Sequence, residues 1–274
     1  AKWTFPFTGG QYGEFRYASP IVGPDGTIYI GSYAVNPDGT AKWTPAVSVV
    51  HSSALGSDGT LYAGAYAFNT DGTVKWNLSL GEIVMYAAPA VGSDDTVYIG
   101  STSGKFYAIN PNGTIKWTAQ LTGQILATAA IGHDGTIYVT TGYGLKGTSS
   151  ELSGDKKLYA LNPSDGSIRW TYQAGHWIWS TPAVDGNGVI YFTARDGYLY
   201  AIDSSGGRKW NFSIGGGEGS PTIINGKVIA SSFRSLYVIG SSGSASLNDY
   251  VSKFVGVLLH SISFLLGQLR ALVR

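Results

Sequence analysis

The stretch "AAPAVGSDDTVYIGSTSGKFYAINPNGTIKWTAQ", residues 87–120, decides the fold. It divides into four short segments rich in β-branched and aromatic residues: "AAPAV", "TVYIG", "FYAIN" and "TIKWTAQ". Between them stand "GSDD", "STSGK" and "PNG". Gly, Asn and Asp tolerate the positive φ that tight hairpins demand, so each separator is a turn. The alternating Val, Ile, Tyr and Phe side chains suit strands covered on both faces. The unit is a four-stranded meander.

The unit recurs along the chain. "NPDGTAKW" (36–43), "NTDGTVKW" (69–76), "NPNGTIKW" (110–117), "NPSDGSIRW" (162–170) and "DSSGGRKW" (203–210) are one motif. A second motif precedes each: "GPDGTIYIG" (23–31), "GSDGTLYAG" (56–64), "GSDDTVYIG" (92–100), "GHDGTIYVT" (132–140) and "GNGVIYFT" (186–193). Successive tryptophans are 33 to 53 residues apart. Four strands at a period near 40 predict propeller blades. A sixth unit, "SPTIINGKVIASSFRSLYVIGSSG" (220–243), has no Lys-Trp strand, but "KWT" at 2–4 repeats the "KWT" of 42–44 and 116–118. The sequence therefore predicts an all-β, six-bladed propeller over residues 1–240, closed by its N-terminal strand, since a closed ring leaves no free sheet edge.

The turn-plus-tryptophan motif resembles the tryptophan-docking repeat of the pyrroloquinoline-quinone-type propellers, as in "AINPNGTIKW" and "ALNPSDGSIRW". The resemblance covers about residues 1–240. It implies that Trp3, Trp43, Trp76, Trp117, Trp170 and Trp210 pack between blades. That family includes quinoprotein dehydrogenases, outer-membrane assembly lipoproteins and surface proteins. Its dehydrogenases use a vicinal Cys pair and an acidic Ca²⁺ site beside the quinone. This chain has no cysteine, and its sequence offers no matching carboxylate cluster. No cofactor is expected.

A net charge of +1 with 13% charged residues gives no basic stripe for nucleic acid and no acidic run for disorder. The histidines His51, His133, His176 and His260 lack metal-ligand spacing, so no metal is expected. Most Asp residues fall in Asp-Gly turns, and the Lys-Trp lysines should point to solvent. "GYGLKG" (142–147) matches a dinucleotide fingerprint in letters only, because no helix follows it to hold a pyrophosphate. No catalytic residue is expected. The Ser, Thr and Asn content favours an extracellular, periplasmic or cell-surface setting, to which the sequons at Asn77, Asn112 and Asn211 add little.

In a propeller the B–C turns and the D-to-A crossovers share one face. Aligning the units at the step before strand A selects Tyr17, His51, Tyr86, Ala127, Trp179 and Glu218 around the channel mouth. Flanking positions add Arg16 and Trp177. The result is an apolar funnel with a few polar groups, the composition of a ligand or partner site. Six of the eight tryptophans belong to the repeat; the other two are both in "HWIWS" (176–180). The bland alternative is that Trp177 and Trp179 plug the channel. B–C turns are short in the first two units, and an insertion at 142–157 enlarges that of the fourth.

Residues 241–246, "SSGSAS", read as a flexible linker. Residues 247–274 read as a helix with an a/d seam at Val251, Val255, Leu258, Ile262, Leu265, Leu269 and Leu272. A helix apolar nearly all round must be buried in something. Self-association or a protein partner is the leading reading, membrane contact a second, and folding back on the propeller a third. The sequence thus predicts a non-enzymatic binding or structural module held in a larger assembly by its helix. A degenerate quinoprotein oxidoreductase and a lectin-like propeller are the alternatives.

Overall fold

The computed structural model describes residues 3–5, 18–45, 47–49, 51–81, 84, 87–143, 154–216 and 218–240. The predicted linker 241–246 and helix 247–274 lie outside them. The described residues form six antiparallel sheets, each a meander whose neighbours in sequence are neighbours in space.

Sheet one contains β1 (Ile21–Val22), β2 (Ile28–Ile30), β3 (Tyr33–Val35) and β4 (Ala41–Trp43). Sheet two contains β5 (Ser53–Leu55), β6 (Leu61–Ala63), β7 (Tyr66–Phe68) and β8 (Val74–Asn77). Sheet three contains β9 (Ala90–Val91), β10 (Val97–Gly100), β11 (Lys105–Ile109) and β12 (Ile115–Gln120). Sheet four contains β13 (Ala130–Ile131), β14 (Ile137–Thr140), β15 (Lys157–Leu161) and β16 (Ile168–Gln173). Sheet five contains β17 (Ala183–Val184), β18 (Ile190–Thr193), β19 (Tyr198–Ile202) and β20 (Arg208–Ser213). Sheet six has three strands, β21 (Thr222–Ile224), β22 (Lys227–Ser231) and β23 (Leu236–Gly240).

The core is divided among the seams between consecutive sheets. Tyr98, Ala108 and Trp117 of sheet three pack on Ile137, Val139 and Leu161 of sheet four, and each earlier and later pair has its own cluster. First strands touch across the seams, as β5 does β9 and β17 does β21. This is propeller packing.

One row of residues explains the repeat. Tyr98, Ala108 and Trp117 are direct partners on β10, β11 and β12. Tyr29–Ala34–Trp43, Tyr62–Ala67–Trp76, Tyr138–Ala160–Trp170 and Tyr191–Ala201–Trp210 are the same row elsewhere. The two outer rings meet above the alanine, with centroids 5.5 to 5.9 Å apart. All five alanines are fully buried, and a larger side chain would part the rings.

Four of these five tryptophans then lean onto the glycine turn of the next sheet; Trp210 has no such seat, and its indole N–H is buried without a partner among the described residues. A Cβ at Gly72 would fall 2.4 Å from Trp43, one at Gly113 2.7 Å from Trp76, and one at Gly166 2.5 Å from Trp117. The indole N–H groups of Trp76, Trp117 and Trp170 donate to the carbonyls of Pro111, Pro163 and Ser204. Trp43 differs and donates to Ser32 of its own sheet. Trp3 takes the corresponding seat on sheet one, with its N–H 3.0 Å from the Pro37 carbonyl and its ring against Gly39. At Gly113 the backbone has φ of 87°, so Gly113→Ala meets both a strained conformation and the Trp76 ring. That substitution is expected to cost about 2–4 kcal/mol, read as a thermal-melt decrease.

In four of the five motifs the basic residue does not simply face solvent, contrary to the sequence expectation. Ala108 opposes Trp117 while Ile109 opposes Ile115, so Lys116 is an extra residue in a β-bulge. Lys42, Lys75 and Arg169 hold the same place. A bulge re-aims its side chain. Here it sends the cation to the Asp of the A–B turn: Lys42 to Asp25 (2.7 Å), Lys75 to Asp58 (3.0 Å), Lys116 to Asp94 (3.2 Å) and Arg169 to Asp134 (3.2 Å). In sheet five Asn187 replaces the carboxylate.

Hydrogen bonds from the Thr60 hydroxyl and N–H and from Lys75 hold Asp58 down at about 2. The Lys42 ammonium depresses Asp25, and the Thr136 hydroxyl depresses Asp134. Depressed carboxylates stabilise the fold above the unfolded value of about 3.9, and that contribution is lost as pH falls through the folded value. The melting temperature should therefore be flat near neutrality and fall between about pH 4 and 2. These carboxylates are more than half exposed, so each pair contributes little alone. A melt that is flat across that acid window would contradict the linkage.

Candidate functional site

The B–C turns differ as the sequence spacing predicts. Two residues suffice in sheets one and two, Gly31-Ser32 and Gly64-Ala65, and four are used in sheets three, five and six. Sheet four spends residues 141–156 on this turn, of which 144–153 lie outside the described residues. The crossovers between sheets are stitched to these turns. Ile125 N–H donates to the Ser101 carbonyl, Gln124 N–H to Tyr143, Arg195 N–H to Trp177, and Phe233 N–H to Gly216.

The crossover from sheet four to sheet five carries both tryptophans outside the repeat. Trp177 and Trp179 are half-buried and nearly parallel, at 13° and 6.2 Å between centroids. Tyr143, from the enlarged turn of sheet four, touches both rings at 4.2 and 5.2 Å. Gly142 and Gly154 permit that approach: a Cβ at either would fall within 2.7 Å of an indole atom. The His176 ring meets Trp177 edge-on, and its Nδ1 accepts the Trp177 backbone N–H. The Arg195 guanidinium lies over Trp179 at 4.6 Å and over Trp177 at 5.8 Å. Its Nε reaches Oε1 of Glu218 at 3.1 Å. Both indole nitrogens are closed off from solvent and have no hydrogen-bond partner among the described residues. Buried polar groups are paired in the great majority of cases, so two orphans in one cluster call for an explanation.

The structure brings Trp177, Trp179 and Glu218 together through Arg195, with Tyr143 against both indoles; sequence reasoning missed Arg195 and Tyr143. The alignment compared crossovers only. Arg195 lies in the B–C turn, at the position of Thr102 in sheet three, and comparing those turns would have raised it. His51 is in the crossover between sheets one and two, half-buried, and burial lowers its pKa. Ala127 is buried. Arg16, Tyr17 and Tyr86 lie outside the described residues.

Among the described residues the other carboxylates of this face are already engaged. Asp155 accepts the Tyr159 hydroxyl and pairs with Lys157 at 3.0 Å. Burial and then the Asp155 hydrogen bond push Tyr159 upward. Asp196 accepts the Tyr200 hydroxyl at 2.5 Å and the Gly175 N–H at 3.0 Å. These contacts tie each B–C turn to its own strand and, in sheet five, to the crossover before it. Among the described residues no group of three or more His, Asp and Glu side chains is placed to hold a metal. With Asp155, Asp196 and Glu218 each committed to a partner in the fold, the donor set does not fit the Ca²⁺–quinone pair of the resembled dehydrogenases.

The Tyr–Ala–Trp rows and the glycine seats define a propeller of tryptophan-docked repeats. The chain belongs to the family described as outer membrane protein assembly factor BamB, whose model matches residues 30–260. Among solved structures, BamB from Moraxella catarrhalis is similar at 20% identity and a TM-score of 0.58, over 70% of this chain and 58% of that one. The quinohemoprotein alcohol dehydrogenase from Comamonas testosteroni is similar at 18% identity and a TM-score of 0.56, over 84% and 46%. The computationally designed Ika8 protein gives 12% and 0.60, over 78% and 65%. The chain spans little more than half of that BamB and less than half of the dehydrogenase. At these identities the likeness is one of fold. No curated protein matches the chain.

Proposed function

We propose that this chain is a non-enzymatic binding propeller that meets a protein partner on the face of the B–C turns and crossovers of sheets four to six. The observation that carries this reading is the pair of indole N–H groups of Trp177 and Trp179, buried without an acceptor beneath an exposed arginine. A partner carbonyl or carboxylate reaching this cluster would satisfy donors that the fold leaves unused. Family membership supports a role in a protein assembly, and with it a setting in the cell envelope.

Two further elements complete the proposal. The N-terminal segment is the outer strand of the sixth blade, and the seat of Trp3 on sheet one supports that closure. The apolar segment 247–274 forms a helix that holds the propeller in its assembly. Sugar stacking is less favoured, because Tyr143 and Arg195 already cover the indole faces.

Retention of the intact chain on an array of short synthetic peptides tests the binding face. Trp179→Ala and Trp177→Ala are expected to abolish retention at temperatures where each variant is still folded, with each melt lowered by several degrees for the lost half-buried ring. If both variants unfold readily and retention by the surviving folded fraction is unchanged, the two rings are a plug and the face is not a binding site.

A further inference from the structure

We propose that the partner of this face is an acidic segment, seated by a carboxylate on Arg195 and by an adjacent apolar side chain on Phe233. The inference rests on the partner-binding reading above and adds the chemistry of the partner.

Arg195 is presented as a prepared fork. Its plane is held over Trp179 and Trp177, and its Nε is tied to Glu218. Among the described residues neither Nη nitrogen donates a hydrogen bond. A stacked and tethered guanidinium loses little freedom on binding, and its Nη edge matches a carboxylate in two parallel hydrogen bonds. Among the described residues the charge left open is positive. Glu218 offsets one cation, Asp155 and Asp196 are committed to tyrosine hydroxyls, and exposed Arg234 in the next B–C turn has no ion-pair partner among the described residues.

Phe233 stands on the other side of the same crossover. Its N–H donates to the Gly216 carbonyl, and its ring comes within 3.6 Å of where a Gly216 Cβ would stand. Glu218 lies two residues further along. Phe233 is 72% exposed and Leu236 57%, so the turn of sheet six, tied to the crossover that carries Glu218, offers apolar surface. Arginine and aromatic residues around a half-buried Trp pair are the composition of an interface hot spot. A nucleic acid would want a run of cations, and a free anion would have no use for Phe233.

The peptide array separates this from the parent reading. Retained peptides should be enriched in Asp or Glu close to a large apolar residue, and their retention should weaken as salt rises past physiological strength. Arg195→Met should reduce it about tenfold, with Arg195→Lys restoring only part. Phe233→Ser should weaken peptides that carry the apolar residue and leave the preference for acid. Glu218 and Arg195 side chains are 35% and 36% exposed, so Arg195→Met should melt near the parent temperature. A retained set that is neutral or basic, or one indifferent to Arg195→Met, overturns the acidic partner. If the tryptophan variants still abolish such retention, the binding face stands and only the acidic partner falls. If no peptide is retained at all, both fall.

Discussion

A chain lacking residues 1–7 is expected to melt roughly 6–12 °C below the intact chain. Trp3 is half-buried, so the low end of the cost of losing a packed tryptophan applies, about 3 kcal/mol. For a chain of this size each kcal/mol shifts the melt by about 2–4 °C. The loss has two parts. The indole leaves its seat on Gly39 and the Pro37 carbonyl, and the outer edge of β23 loses the strand proposed to cover it. A cycle with Trp3→Ala and Gly39→Ala isolates the first part. Both changes act on one contact, so the double variant should lose less than the sum of the singles. A truncated chain that melts with the intact one would show that the N-terminal segment does not close the ring.

The second large effect concerns the tail. Leu258→Asp with Leu265→Asp is expected to convert an associating chain into a soluble monomer. The a/d spacing from Val251 to Leu272 offers helix-on-helix packing as a way to hide a surface that monomeric proteins seldom expose. Burying five Leu and Ile side chains at about 1.5–3 kcal/mol each exceeds the low end of the association cost. Sedimentation velocity reads the change. The membrane reading predicts instead that the intact chain needs detergent and partitions into liposomes, with the double variant released from both.

The six repeats were legible because their cause is local. Asp-Gly or Asn-Gly turns recur through the units and a Trp at fixed offset marks five of the six, and the glycine seat lies in the same motif that supplies the next tryptophan. The pairing of Lys42, Lys75, Lys116 and Arg169 was not legible. It depends on a bulge that appears only when the outer strand is set against its neighbour, and on an Asp two strands away in space. Sheet six departs from the rule for a visible reason: Ile229 and Val238 replace the Tyr and Ala of the row, leaving no slot for a large ring between them. At the site, the crossover tryptophans stood out as surplus to the repeat. Arg195 and Tyr143 did not, because each reaches the cluster from a B–C turn whose nearness to the crossover is a property of the folded seam.

The solution mass of the intact chain, compared with that of a chain lacking residues 243–274, tests most directly the idea of a binding propeller held in an assembly by its tail. The intact chain should run as a multiple of its own mass or only with detergent or lipid, and the shortened chain as a folded single copy. An intact chain that is soluble, indifferent to lipid and of the mass of one copy would contradict it.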